Sequence, residues 1–173
     1  MHSKSFYPAY QKTFRVIEAG SDALREIAFR LRYEVYCHER GIAPSLADST
    51  ADRLEKDAYD DHSLHYLLYH KLTDEAVGTV RVVLPRTEKL LHSFPLQFIC
   101  DHPLIHMEDR IGQFCEISRL CMTRAFRQRP GDGKPLPAYF DQDRDMHLDH
   151  AANVYIRRVI PFAPLGLLRA AFE

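Results

Sequence analysis

The stretch FCEISRLCM, residues 114–122, alternates like a β-strand yet sets Glu116, Ser118 and Arg119 among Ile117, Leu120, Cys121 and Met122. Polar groups buried in a strand are costly unless each has a partner or a task. Arg81 repeats the anomaly in AVGTVRVVL (76–84), and Arg32 repeats it beside the apolar stripe of a helical pattern. LEKDAYDDHS (54–63) supplies Glu55, Asp57, Asp60 and Asp61. Charges in core-facing places need opposite charges nearby. Two readings follow for these arginines and carboxylates. One is an ion network that fixes register. The other is a polar pocket between helix and sheet where an acidic group binds and a carboxylate moves a proton.

Strict alternation puts Cys115, Ile117, Arg119 and Cys121 on one face and Glu116, Ser118, Leu120 and Met122 on the other. It puts Val77, Thr79, Arg81 and Val83 on one face of their strand. Glu116 and Arg119 should therefore not pair, and Arg119 should meet Asp57 or Asp60.

Other clusters are weaker. DQDRDMHLDH (141–150) imitates the start of a calcium loop, but Met146 and Ala152 stand where Gly and Glu are needed. It reads as a solvated loop, and no metal site is expected. QRPGDG (128–133) has glycines that could cradle a pyrophosphate, but Pro130 removes a donor and a plain turn is an equal reading. His62, His65 and His70 read as surface or edge residues. Cys115 and Cys121 read as small core residues, too far apart to bridge.

The elements that must position these residues follow from periodicity. Strands are predicted over 13–18, 64–71, 76–84 and 115–122, the middle two joined by the hairpin-length LTDE. A helix is predicted over 22–38, capped by Ser21, with Leu24, Ile27, Ala28, Leu31 and Val35 on one side and Phe29, Tyr33 and Tyr36 on a second. Residues 43–62 read as a loop with a short helical turn, 94–100 as a short helix, 128–150 as a long loop and 161–172 as a last helix. The expected fold class is α/β (α+β), one domain over residues 1–173, cut short after that helix.

With 173 residues and net charge −1, no overall basic field argues for nucleic acid. No apolar run suits a signal peptide or a membrane span. The cysteines lack metal or disulfide spacing. The expectation is a reduced, cytoplasmic protein.

RLRYEVYCHERG (30–41), LEKDAYDDHSLHYLL (54–68), GTVRVVLP (78–85), FPLQ (94–97) and CEISRL (115–120) occur in that order. The set resembles the autoinducer-synthase-like branch of the GNAT acyltransferase superfamily. Nearest in look are the acyltransferases associated with PEP-CTERM/exosortase systems; N-acyl amino acid synthases and N-acyl-homoserine-lactone synthases are further off. The chain has no Trp, where homoserine-lactone synthases carry one after the first helix, which weakens that chemistry and S-adenosylmethionine as co-substrate.

The resemblance implies a GNAT-like mixed, mostly antiparallel sheet with flanking helices. Arg32, Arg81 and Arg119 match its arginines, Asp57 and Asp60 its acidic pair, Phe94 an aromatic near the acyl pocket, and Glu116 the acid of its E-x-S-R strand. It implies N-acyl transfer from acyl-CoA or acyl carrier protein to an amine or amino acid, with no tightly bound cofactor. Glu116 would be the base. Backbone N–H groups near Leu120–Met122 would hold the oxyanion, with Ser118 beside the acyl cleft. The family's further strand is missing from this reading, so the alternative is a non-catalytic acyl-binding or interaction module. An exposed strand edge and an uncovered last helix would then favour a homo-oligomer.

Overall fold

The computed structural model describes residues 6–41, 52–127 and 163–172. A first helix, α1 (Phe6–Thr13), runs directly into β1 (Phe14–Glu18). Ser21 caps α2 (Asp22–Tyr33), its hydroxyl accepting from the Leu24 N–H at 3.3 Å. Beyond Tyr33 the winding loosens into a π segment, Glu34–Glu39. A 3₁₀ turn at Asp60–His62 leads into β2 (Ser63–His70), and β3 (Glu75–Val83) follows it through a tight turn. Three more 3₁₀ turns and α3 (Glu108–Ile111) connect β3 to β4 (Glu116–Met122), after which come α4 (Arg124–Arg127) and α5 (Ala163–Phe172). The predicted strands stand within a residue or so of these bounds. The predicted helix 22–38 is present but changes its winding after Tyr33. α1 and α3 were not foreseen. The loop over 128–150, with its acidic and glycine motifs, lies outside the described residues.

The four strands form one antiparallel sheet in the order β1-β2-β3-β4, and each pairs with its neighbour in the chain. Its two faces are covered differently. On one, Tyr10, Phe14, Leu68, Val77, Val80, Met122 and Phe126 pack with Ala163 and Leu167 of α5. On the other, α2 brings Ala28 and Leu31, and the π segment Val35, against Leu67, Tyr69 and Cys121. Gly78 lets α5 approach closely: a Cβ there would run into the Met122 side chain and crowd Leu167. Ala163 and Leu167 are fully buried, so the expectation of an uncovered last helix is wrong for that face; the sheet itself supplies the cover. No described helix is long and apolar enough to cross a membrane.

Strict alternation fails at two bulges. In β3 the register shifts so that Leu68 opposes Gly78 while Tyr69 opposes Ala76. Val77 is the extra residue, and it turns to the α5 core instead of sharing a face with Thr79 and Arg81. In β4, Ser118 opposes Arg81 and Cys121 opposes Thr79. Two residues, Arg119 and Leu120, therefore face the single Val80, and Arg119 adopts a left-handed φ of 54°. The extra residue moves Cys121 onto the α2 face with Ser118, and Met122 onto the α5 face with Ile117. Both placements reverse those expected from alternation.

Two smaller expectations also fail. His65 and His70 are almost fully buried, because β2 is an inner strand with both faces covered. Cys115 is exposed, just ahead of β4, while Cys121 is buried.

Candidate functional site

On the α2 face, three arginines and three carboxylates close into a ring. Arg32, from the last turn of α2, donates through Nε to Glu55, and through Nη1 and Nη2 to both oxygens of Asp60 at 2.7 and 3.1 Å. Asp60 Oδ1 also accepts from Arg81 Nη1 of β3 at 2.9 Å, and the same nitrogen reaches Asp57 Oδ1 at 2.6 Å. Asp57 Oδ2 accepts from Arg119 Nη2 at 2.9 Å, and Arg119 Nε returns to Glu55 at 3.0 Å. Arg81 Nε finally donates to Ser118 Oγ at 3.1 Å. Positive and negative members alternate around the ring, and its formal charge is zero.

The segment before β2 makes this possible. The Asp57 N–H donates to Asp60 Oδ2 at 2.8 Å and the Tyr59 N–H to Asp57 Oδ1 at 2.9 Å. These bonds fold residues 57–60 into a compact turn that aims both carboxylates at the sheet. The Glu55 N–H, donating to the Phe29 carbonyl at 3.1 Å, moors the segment to α2.

The ring is deeply buried at one end and open at the other. Arg32 and Arg81 are 0% exposed and Glu55 2%, whereas the side chains of Arg119 and Asp57 are 25% and 16% exposed. Burial pushes the Asp60 carboxyl up, but its Arg32 bond and charge, the Asp57 N–H and Arg81 together overcome it and hold Asp60 at about 2. Arg32 follows the same logic: burial lowers its pKa, and Asp60 and Glu55 more than restore it. Next to the ring, His65 packs edge-on against the Phe29 ring at 5.3 Å and lies 3.8 Å from Asp60. Burial first, with Arg32 and Arg81 adding to it, lowers His65 to about 4 despite Asp60, so it is neutral at pH 7.

The remaining predicted site residues surround this ring unevenly. Glu116 shares the α2 face with Ser118, two residues along β4, and is half-buried. Its Oε2 accepts from the Leu96 N–H at 2.8 Å. Glu116 and Arg119 do not pair with each other. Phe94 is buried with Val83 and Ile111 under the β3–β4 connection. Gln97, of the same FPLQ motif, is a structural staple: its side chain accepts from the Phe94 N–H at 3.0 Å and donates to the Leu90 and Ile105 carbonyls at 3.1 and 2.9 Å. Leu120 is exposed at the bulge, and Met122 is packed into the core on the opposite face. Glu55 is the residue whose weight sequence reasoning missed. It was visible as one carboxylate in an acidic run, with nothing in its spacing to set it apart.

A family model described as an acetyltransferase (GNAT) domain matches residues 31–133 of the 173. The chain belongs to the GNAT family. The match begins at the residue before Arg32 and spans every member of the ring, the bulge and Glu116. No curated protein and no solved structure matches the chain. A GNAT domain carries acyltransferase activity in general, with an acyl thioester as donor and an amine as acceptor, and the antiparallel sheet with flanking helices is consistent with that fold.

Proposed function

We propose that this GNAT protein is an N-acyltransferase that moves a fatty acyl group from coenzyme A or acyl carrier protein to an amine or amino acid. The observation that carries the reading is the juxtaposition of a pinned bulge in β4 with a half-buried carboxylate on the same strand. A bulge withdraws one residue from the ladder and frees backbone groups for another partner. A strained left-handed arginine persists only where its surroundings over-determine it, and here the ring does so through Arg119.

The reaction is direct. The amine nitrogen attacks the thioester carbonyl carbon, the C–N bond forms, and the carbonyl oxygen becomes an oxyanion. Backbone N–H groups of the 120–122 strand are the proposed donors to it. The C–S bond then breaks, the nitrogen made cationic by the attack sheds a proton, and the departing thiolate takes that proton up as the thiol. An amine is protonated at pH 7, so a base must first remove a proton. Glu116 is the proposed base: one oxygen is anchored by the Leu96 N–H, and Oε1 has no hydrogen-bond partner among the described residues. Arg32 spends its donors on carboxylates, and Arg81 and Arg119 each commit donors to Asp57, although Arg81 Nε holds Ser118 and its buried Nη2 has no partner among the described residues; this favours a positioning role for Asp57, Asp60 and the bulge. Ser118, fixed by Arg81, and the exposed Leu120 would flank the thioester. The order of motifs supports the autoinducer-synthase-like branch.

The test is calorimetric titration of the full chain with acyl-CoA of increasing length, followed by thiol release with a panel of amines and amino acids. Thiol release that depends on the amine is expected. Binding without release under any amine would instead support a non-catalytic acyl-binding module.

A further inference from the structure

The π segment Glu34–Glu39 touches β4 at the one place where that strand is irregular. The Tyr36 hydroxyl donates to the Leu120 carbonyl at 3.2 Å. One turn on, Glu39 accepts from the Arg124 N–H at 3.1 Å and pairs with Arg127. Between them these residues hold the strand from its bulge to the start of α4. π segments interrupt a helix at a cost and concentrate at functional sites. This one faces the bulge, where Arg119 has a left-handed φ.

The bulge thus has two independent restraints. Arg119 is held by its side chain, through Glu55 and Asp57. Leu120 is held by its backbone, through Tyr36. A carbonyl and the N–H that follows it lie in one rigid peptide plane and point in opposite directions. Fixing the Leu120 carbonyl therefore fixes the direction of the Cys121 N–H and the tilt of the whole peptide.

We propose that Tyr36 is a positioning residue for acyl transfer, its hydroxyl setting the orientation of the Leu120–Cys121 peptide at the bulge and so the place where a thioester carbonyl is received; this rests on the acyltransferase reading above. Burial, with a smaller contribution from Cys121, pushes the Tyr36 phenol up to about 12. It therefore stays a donor throughout the neutral range. The residue touches no substrate in this role. It acts through the Leu120 carbonyl.

Tyr36→Phe removes one oxygen and keeps the ring. Two measurements on the full-length chain test the proposal. Amide hydrogen exchange without substrate should speed up several-fold over residues 118–122 and stay unchanged over β2, as expected for loss of one local hydrogen bond. Thiol release should fall in kcat by roughly tenfold, with KM nearly constant, because the loss is one of orientation and not of uniform binding. Unchanged exchange at 118–122 overturns the anchor. Faster exchange with unchanged kcat overturns the functional role and leaves a merely structural contact. A wild-type chain that releases no thiol from any thioester sinks the acyltransferase reading, and the functional role of Tyr36 with it, whereas the exchange result still decides the anchor.

Discussion

The two faces of the sheet are built by opposite means. The α5 face is apolar and aromatic: Phe14 meets Tyr10 at 5.3 Å and Phe126 at 6.0 Å, and Leu167 closes over Val77 and Val80. Its contacts are many, weak and interchangeable, so losing one leaves the others in place. The α2 face combines a thinner apolar layer with the ring of Arg32, Glu55, Arg119, Asp57, Arg81 and Asp60. There each member neutralises two others, and removing one strands a buried charge. The apolar face makes the fold stable. The ionic face ties the register of β3 to that of β4, because Arg81 and Arg119 share Asp57 while Arg81 also holds Ser118.

Substitutions should expose that difference. Arg32→Ala leaves Glu55 and Asp60 without their main partner in a site closed to water, and should cost about 4 kcal/mol of unfolding free energy. Denaturant melts would show this as a large drop in midpoint. On the other face, Leu167→Ala opens a cavity beside Gly78 and should cost about 3 kcal/mol, while Leu167→Met, which conserves volume, should cost under about 1.5 kcal/mol. If Arg32→Lys, with its single charged head, were tolerated as well as Leu167→Met, the contrast between the faces would fail. Arg119, a quarter exposed, should cost less than Arg32 when replaced by Ala, about 2 to 3 kcal/mol after screening by solvent is allowed for.

Acid should load both faces, because burial also lowers His70 beside Phe14 and Phe126, but the larger shift lies on the ionic face. His65 is held neutral in the fold, with its pKa lowered from 6.5 to about 4. The unfolded chain binds a proton there at higher pH than the native one. The stability it reports is therefore fully present above pH 6.5 and is lost as pH falls toward 4, by about 3 kcal/mol. Asp60, lowered from 3.8 to about 2, adds a second loss as pH falls from 3.8 toward 2. His65→Phe, which keeps an aromatic ring against Phe29, should flatten the first decline. Equal pH dependence in the two proteins would remove His65 from the account.

The apolar face was the more legible of the two in the sequence, and the strands were the most legible of all. β2 is rich in Leu and Tyr and β3 in Val, and Val80, Leu68 and Leu67 fall into the core by type alone. The charged residues of the site were legible as anomalies: Arg81 and Arg119 stand out because their neighbours are apolar. Their geometry was not. Alternation along one strand cannot reveal a bulge, since a bulge is a mismatch between two strands. That is why Val77, Cys121 and Met122 came out on the wrong faces. Arg119 nonetheless reaches Asp57, because its left-handed backbone turns it toward the carboxylates. Glu55 could not be ranked above Asp61 from an acidic run, because its position depends on the bond from its N–H to Phe29. The π winding after Tyr33 is equally a product of packing: i to i+5 bonding leaves no periodic mark in six residues.

The central claim is that the charges of β4 divide into structure and chemistry, Arg119 belonging to the ring and Glu116 to the reaction. Glu116→Gln, measured for thermal unfolding and for amine-dependent thiol release in the same preparation, tests it most directly. The account predicts an unfolding midpoint close to that of the wild type, because glutamine keeps an oxygen for the Leu96 N–H, and a fall in turnover of roughly a hundredfold or more. A variant that unfolds early yet keeps its turnover per folded molecule would contradict it, and would place Glu116 with the structural charges.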